Sequence, residues 1–468
     1  MNHGMQQNHG GRMRWAGWAV GIATVLSMAA CKNAGKTGQN DNIAASTGDA
    51  RQGTQAATPA SAASTPAPTE AATKPASDKS KPASGRLVDR VVLLTVDALR
   101  GDQPWTGYSH AKTPALSKLA EESVVFTRGY SVANTTGPSI SGMLAVRYPT
   151  ELERDDCPLA GFTIGEGVAP VLSKAGGWSG AAHGHSYFGG STAPKGGFDA
   201  WKTIDNIAGR LVTEGAVTGP EVTELMKELI KEAPTDKPVW LWAHYLEPHD
   251  SYVYHKDFPP SGEPKRGVYD GEVAFVDNEI GKVLQAIEES GHKDRTAVII
   301  AADHGEAFGE HDRYRHGFTV FEEEVHVPLI LRIPGQAPKR VDTPRSVMDV
   351  GRTVAALLGV QAPSRWRGRS LVEDLDGIPK ERPVIVDVPK LMNLPDQQAV
   401  LIGKYKVTRL GEKWSVYDLE ADPKEKSPLA GAANQSLVAE LVGKAKDAVG
   451  QIETVPSQAC KRQAFRPK

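Results

Sequence analysis

Cysteine is scarce: three residues in 468, too few for a disulfide-built scaffold, so the fold has to come from a hydrophobic core. A charge excess is missing too. Lys and Arg number 54 against 56 Asp and Glu, a net charge of −2, which argues against a nucleic-acid binder working through a basic surface. The one long apolar run, Trp15 to Ala30, is too short to span a bilayer comfortably. From Lys32 to Gly85 there is no Phe, Trp, Tyr, Leu, Val or Met, and Ile43 is the only bulky apolar residue. Such a stretch cannot offset its ordering entropy, so its Ala, Thr, Ser, Pro and Lys read as a disordered tether. The folded part therefore starts near Arg86 and has about 380 residues, enough for a large core.

What stands at the N-terminus is an address. Residues up to Arg14 are polar and include Arg12 and Arg14, then come the apolar run and Met28-Ala29-Ala30-Cys31. A positive segment, a short apolar one and a small-residue cleavage site make a secretory signal over residues 1–30. The Cys directly after the small pair resembles a bacterial lipoprotein signal. That implies lipidation of Cys31 as the mature N-terminus, with the tether over 31–85; the plainer alternative is a cleaved signal with an incidental Cys. Lys32 after the Cys implies, by the same resemblance, the outer membrane of a diderm host. The expected location is extracytoplasmic and lipid-anchored, on the periplasmic or surface face. Two thiols then remain, Cys157 and Cys460, in a compartment that permits disulfides. They are expected to pair and tie the C-terminal tail to the body, against the alternative of two unpaired thiols.

Past the tether, Val91 to Val96 is a continuous β-prone run ending at Asp97, and Ala297 to Ala302 ends the same way at Asp303-His304. Runs without alternation are strands covered on both faces, the habit of a parallel sheet. Val239 to Ala243, before His244, and Val327 to Leu331 look like two more. In Tyr269 to Ser290 apolar residues recur at three- and four-residue steps and Gly291 follows, predicting an amphipathic helix. Glu221 to Glu232 repeats the pattern. Strands alternating with helices predict a doubly wound α/β fold with a mostly parallel central sheet over residues 86–382. From 383 the texture turns to short β-prone pieces, Pro383 to Val388, Ala399 to Leu410 and Trp414 to Leu419, then a helix around Leu437 to Val449. These predict a small antiparallel C-terminal subdomain over 383–468.

Folds of this kind bind ligands outside the carboxyl ends of their strands. Asp97, Asp303 and His304 sit at two such tips, and two carboxylates with an imidazole suit Zn, Mn or, less easily, Ca or Mg. In Asn134-Thr135-Thr136-Gly137-Pro138-Ser139 the proline predicts a helix starting around Pro138, with the Thr136 hydroxyl at its positive end. A bound anion or an alkoxide would be stabilised there. The bland alternative is that Thr135 or Thr136 is only an N-cap.

Val92-Leu93-Leu94-Thr95-Val96-Asp97-Ala98-Leu99-Arg100-Gly101-Asp102, Thr113-Pro114-Ala115-Leu116, Thr136-Gly137-Pro138-Ser139, Ala302-Asp303-His304-Gly305-Glu306 and Val327-Pro328-Leu329-Ile330, in this order and spacing, resemble the sulfatase family of the alkaline phosphatase superfamily. Val416-Tyr417-Asp418-Leu419-Glu420-Ala421-Asp422-Pro423 resembles its C-terminal signature. The resemblance implies an α/β/α sandwich, a divalent metal, and in-line displacement at a sulfate or phosphate ester by a side-chain nucleophile. Position by position, it implies Asp97, Asp303 and His304 as metal ligands and Thr136 as nucleophile. His249 and His316 would contact the ester oxygens or the leaving group. His311 and His185 are weaker substrate-binding candidates; His183 and His185 share a Gly-rich loop that could reach the cleft, and the plainer surface-loop reading is favoured for both.

The departures matter. Sulfatases convert a Cys or Ser within Cys/Ser-x-Pro-x-Arg to formylglycine; here the positions read Thr136-Gly137-Pro138-Ser139-Ile140, so formylglycine is not expected and the Arg is missing. The second acid of the usual Asp-Asp pair is Ala98. The remaining set resembles branches in which an unmodified Thr is transiently esterified. The expected function is thus a lipid-anchored, metal-dependent hydrolase of a sulfate or phosphate ester on a glycan, a lipid or a small molecule. Two alternatives stay open: a phosphoglycerol- or phosphoethanolamine-type transferase acting on an envelope glycan or lipid, and a non-catalytic surface lipoprotein that binds glycan or a partner.

Overall fold

The computed structural model describes residues 85–155, 162–185, 188, 197–204, 217–390 and 395–459. The signal, the tether, Cys31, Cys157 and Cys460 lie outside them.

Eight strands form the central sheet: β1 (Arg90–Val96), β2 (Val124–Phe126), β3 (Trp178–His183), β4 (Ala200–Thr203), β5 (Val239–Tyr245), β6 (Thr296–Ala302), β7 (Leu329–Arg332) and β8 (Lys339–Val341). Their spatial order is β8-β2-β7-β6-β1-β5-β3-β4, and every pairing is parallel except those made by β7. The three central strands, β1, β5 and β6, are buried at every position. That is why their sequences run apolar without alternation, since both faces are covered. Each fully buried Val, Leu or Ile there contributes about 1.5–3 kcal/mol.

Helices α1 (Pro114–Glu121), α2 (Thr136–Ala145), α3 (Val168–Lys174), α4 (Gly219–Glu232), α5 (Gly267–Glu289) and α6 (Asp349–Leu357) flank this sheet. They make two groups, α1, α4 and α5 packing together and α2, α3 and α6 packing together, so the architecture is an α/β/α sandwich. The predicted helix over Tyr269 to Ser290 is α5, and Gly291 takes the left-handed conformation (φ 74°) expected after its end. A second sheet, purely antiparallel, is β9 (Val384–Val388), β10 (Gln397–Ile402), β11 (Tyr405–Leu410) and β12 (Lys413–Asp418), followed by α7 (Gln435–Val449).

Three sequence expectations are corrected. The β-prone piece from Ala399 to Leu410 is a hairpin, not one strand, because Gly403 turns the chain at φ 54°. Val327 to Leu331 is broken at Pro328: Val327 pairs with Gly129 in a separate small sheet, and β7 begins at Leu329. Helix α2 starts at Thr136, two residues before the predicted start, with Thr135 in the N-cap position and making no side-chain cap bond.

Candidate active site

Register assembles the site. Thr95 lies opposite both His244 on β5 and Ala301 on β6, and Val96 opposite Tyr245 and Ala302. Asp97, Asp303 and His304, each just past its strand, and His244, near the end of β5, are therefore set side by side at one edge. One ligand atom each of Asp97, His244 and Asp303 lie within 4.8 Å of one another. His304 Nε2 is 3.4 Å from Asp97 Oδ1 and 3.6 Å from Asp303 Oδ2. All four residues are at most 1% exposed.

Hydrogen bonds outside the cluster aim these donors inward. His304 Nδ1 faces the Gly305 carbonyl at 2.9 Å, so Nδ1 carries the ring proton and Nε2 presents its lone pair. Thr95 does the same for His244. Its hydroxyl donates to the Ala243 carbonyl, accepts from Trp242 Nε1 at 2.9 Å, and lies 2.9 Å from His244 Nδ1, leaving it only acceptor capacity toward that nitrogen. Asp303 Oδ1 accepts from the N–H groups of Ala98 and His304 at 3.2 and 2.9 Å; Ala98 holds a left-handed φ of 56°. His244 Nε2, Asp97 Oδ1 and Asp303 Oδ2 have no hydrogen-bond partner. Orphaned buried polar atoms are costly, and these three converge. A divalent cation fits them: two carboxylate oxygens and one or two imidazole nitrogens are donors for Zn or Mn.

Electrostatics agrees. Burial pushes the Asp303 carboxyl well above the usual carboxylate range, and the neighbouring Asp97 charge adds to this. Two carboxylates this close do not both ionise without a counter-cation.

The Thr136 hydroxyl opens onto this cluster. Its Oγ1 is 3.4 Å from Asp97 Oδ2 and 3.2 Å from His304 Nε2. It occupies the first position of α2, whose positive end it shares. Ser139, one turn along, bonds the Asp303 carbonyl at 2.5 Å and fixes the helix on β6.

His249 and His316 form the mouth, less deeply buried than the cluster. Their rings are 5.0 Å apart, and His316 is 4.1 Å from the His304 ring. His316 Nδ1 is 3.1 Å from Glu306 Oε1. Burial alone would lower the His316 pKa, but Glu306 raises it to about 9. His249 Nδ1 meets the Asp250 carbonyl. His185 Nε2 is 3.4 Å from Asp97 Oδ2, and burial lowers this imidazole to about 3.

Of the predicted site residues, Asp97, Thr136, Asp303, His304, His249, His316 and His185 are brought together here. His311 is not. Its Nδ1 is 2.7 Å from Glu323 Oε1, its Nε2 is 3.3 Å from the Glu425 carbonyl, and its ring stacks on Phe321 at 3.8 Å, so its side chain joins the catalytic segment to the C-terminal one. His183 ends β3 and packs against Phe188 and Trp201. Sequence pattern alone misses two residues of the site: His244, whose signal is its place at the end of an apolar strand, and Glu306, which stands inside Asp303-His304-Gly305-Glu306.

The Sulfatase family model matches residues 89–360, and the model for the N-sulphoglucosamine sulphohydrolase C-terminal region matches residues 309–451. The Ulvan-active sulfatase of Formosa agariphila is 24% identical over 397 residues, covering 73% of this chain and 77% of that protein. The Choline-sulfatase of Rhizobium meliloti is 30% identical over 169 residues, 35% of this chain, and the match spans only 33% of that protein. Among solved structures, Ps i-CgsB in complex with k-i-k-neocarrahexaose aligns with a TM-score of 0.65 at 19% identity, covering 78% of this chain and 93% of that one. The Phosphonate Monoester Hydrolase of Agrobacterium radiobacter aligns with a TM-score of 0.62 at 18% identity, covering 78% and 96%. Likeness at these identities is likeness of fold.

Proposed function

This chain belongs to the sulfatase family, and from that premise we propose that it hydrolyses a sulfate or phosphate ester with the unmodified Thr136 hydroxyl as nucleophile. The observation that carries the proposal is the position of Thr136 Oγ1, 3.2 Å from His304 Nε2 and 3.4 Å from Asp97 Oδ2, beside three buried donor atoms that have no hydrogen-bond partner.

Asp97, His244, Asp303 and His304 would hold the metal, His244 supplying a donor where Ala98 has none. A divalent cation bound there would lower the pKa of the neighbouring hydroxyl and hold the negative charge that develops on the ester oxygens. Thr136 Oγ, as the alkoxide left when its proton is released to solvent, bonds to sulfur or phosphorus as the bond to the leaving oxygen breaks. His316, kept protonated by Glu306, or His249 beside it, gives the leaving oxygen its proton. Water then attacks the sulfur or phosphorus of the Thr136 ester, the same imidazole takes up the water's proton, and the Thr136 oxygen is released as the alkoxide for the next turnover. A purely binding role would leave the convergence of unpaired buried donors without a use.

The substrate we propose is an anionic ester on a glycan, in keeping with a relative named for ulvan and a fold neighbour that holds a neocarrahexaose. Thr136→Ala is expected to lower turnover at least about 1000-fold while metal content, measured by elemental analysis, stays at the wild-type value. A panel of aryl sulfates, phosphate monoesters and diesters, with and without an added alcohol acceptor, separates sulfate from phosphate and hydrolysis from transfer. Wild-type turnover retained by Thr136→Ala would remove Thr136 from the chemistry.

We propose further that the chain is lipid-anchored through Cys31 and extracytoplasmic, with Cys157 and Cys460 paired. In support of the pairing, Asp155 and Gln458 form an isolated parallel bridge, and Gln458 N–H donates to the Arg154 carbonyl at 2.9 Å. In the sequence, Cys157 follows Asp155 and Cys460 follows Gln458 by two positions each. Thiol titration of the denatured, unreduced, lipidated protein is expected to find no free thiol; two would rule the pairing out.

A further inference from the structure

The C-terminal signature around Asp422-Pro423 plays no part in the proposed chemistry, yet Glu425, two residues past it, connects to the active site. Its partner is Lys406, on β11, which is 0% exposed. The Lys406 Nζ is 3.0 Å from Glu322 Oε1 and 3.0 Å from Glu425 Oε1. Glu425, at a left-handed φ of 50°, also accepts the Glu322 backbone N–H at 2.6 Å. Burial would lower the Lys406 pKa, but the two carboxylates outweigh it and keep the ammonium charged. An ammonium buried between two carboxylates holds its neighbours in one geometry, because moving any member leaves a buried charge unpaired.

Glu322 opens the short helical turn Glu322–Val325, and that turn grips both sides of the catalytic cleft. On one side, the Glu324 carboxylate accepts the N–H groups of Gly317, Phe318 and Thr319 at 2.7, 3.0 and 3.0 Å. These three residues directly follow His316. On the other side, the Glu324 carbonyl accepts the Gly305 N–H at 2.8 Å, between His304 and Glu306. The Thr319 carbonyl accepts from Asn134 Nδ2 at 2.7 Å, two residues before Thr136. The second sheet adds a direct tie: Gln397 Nε2, on β10, donates to the Phe318 carbonyl at 2.9 Å.

We infer that Lys406 is a positioning residue for catalysis: through the Glu322–Glu425 pair it sets the turn that places His316 over the leaving group. This rests on the reading of His316 as the acid that protonates the leaving oxygen. A misplaced acid costs most when the leaving group needs a proton and least when it departs unaided. A loss of packing alone lowers the folded fraction and leaves that dependence unchanged.

The test is kcat for a series of substituted phenyl esters, of whichever anion the wild type hydrolyses, spanning good to poor leaving groups. It is run on the full folded chains of wild type, His316→Gln, Lys406→Met, Lys406→Arg and Glu425→Gln, with each folded fraction fixed by its thermal melt. Lys406→Met is expected to lose about 10- to 100-fold on the poorest leaving groups and less than about 3-fold on the best. Its steepening should match that of His316→Gln, with KM little changed and Lys406→Arg partly restored. Should Lys406→Met fail to fold, Glu425→Gln, which keeps the Lys406–Glu322 pair, is held to the same criterion. Steepening in His316→Gln but a uniform loss, or none, in the folded Lys406 or Glu425 variant would overturn the positioning role alone. No steepening in His316→Gln would overturn the acid assignment and the inference with it.

Discussion

Two buried clusters of charge lie within this fold, and they differ in what neutralises them. At the tips of β1, β5 and β6, Asp97 and Asp303 face imidazole nitrogens, and among the described residues no Lys or Arg forms an ion pair with either. In the second cluster Lys406 sits between Glu322 and Glu425 and supplies the positive charge itself. The difference separates a site from a scaffold. Donors aimed at a common point and left without partners call for a cation from outside. A cluster that carries its own cation calls for none from outside, and its use lies in what it holds still.

That contrast breaks most readily at His244. His244→Ala is expected to weaken metal binding at least about 100-fold, because a ligand is lost outright and not only the group that orients one; titration of the metal-stripped protein followed by calorimetry reads this. Unchanged affinity would make His244 a core histidine. A gentler blow is Thr95→Val, which removes the hydroxyl that orients His244 and keeps the shape. Metal affinity should fall about 10- to 100-fold with the thermal midpoint of the metal-free protein changing far less; equal affinity would show that His244 needs no orientation to bind.

The smallest effect sharpens the other side of the comparison. His311 lies beside the Lys406 cluster. Burial would lower its pKa, but the bond to Glu323 outweighs this and raises it. Its contribution to stability is therefore fully present below the unfolded value near 6.5 and is lost as pH rises through the higher folded value. The midpoint difference between wild type and His311→Phe should be largest at about pH 6, worth no more than about 1 kcal/mol after solvent screening, and should shrink toward pH 9. A difference that grows with pH would contradict the pair.

How much of this is legible in the sequence depends on where each residue's partners come from. Asp97, Asp303 and His304 end apolar runs, and Thr136 stands beside a proline that starts a helix, so local pattern is enough to pick them. His244 follows the apolar run Val239 to Ala243 and carries the same kind of local signal, but the strand continues through it to Tyr245, and it is the register with Thr95 that sets it beside Asp97. His311 follows Glu310 in a loop near His316 and looks like a cleft residue. Its partners, Glu323 and the Glu425 carbonyl, arrive from later in the chain. Lys406 carries no local signal, because its partners Glu322 and Glu425 come from other parts of the chain. The parallel sheet declares itself through unbroken apolar runs, whereas the split of Ala399 to Leu410 hangs on one glycine turn.

The most direct test of the central claim is to catch the covalent intermediate. Rapid acid quench of the metal-loaded enzyme turning over its best aryl ester, followed by proteolysis and peptide mass analysis, should show the sulfuryl or phosphoryl group on Thr136, and no such adduct in Thr136→Ala. A wild-type enzyme that turns over with Thr136 unmodified at every quench time, or with the group carried on another residue, would contradict it.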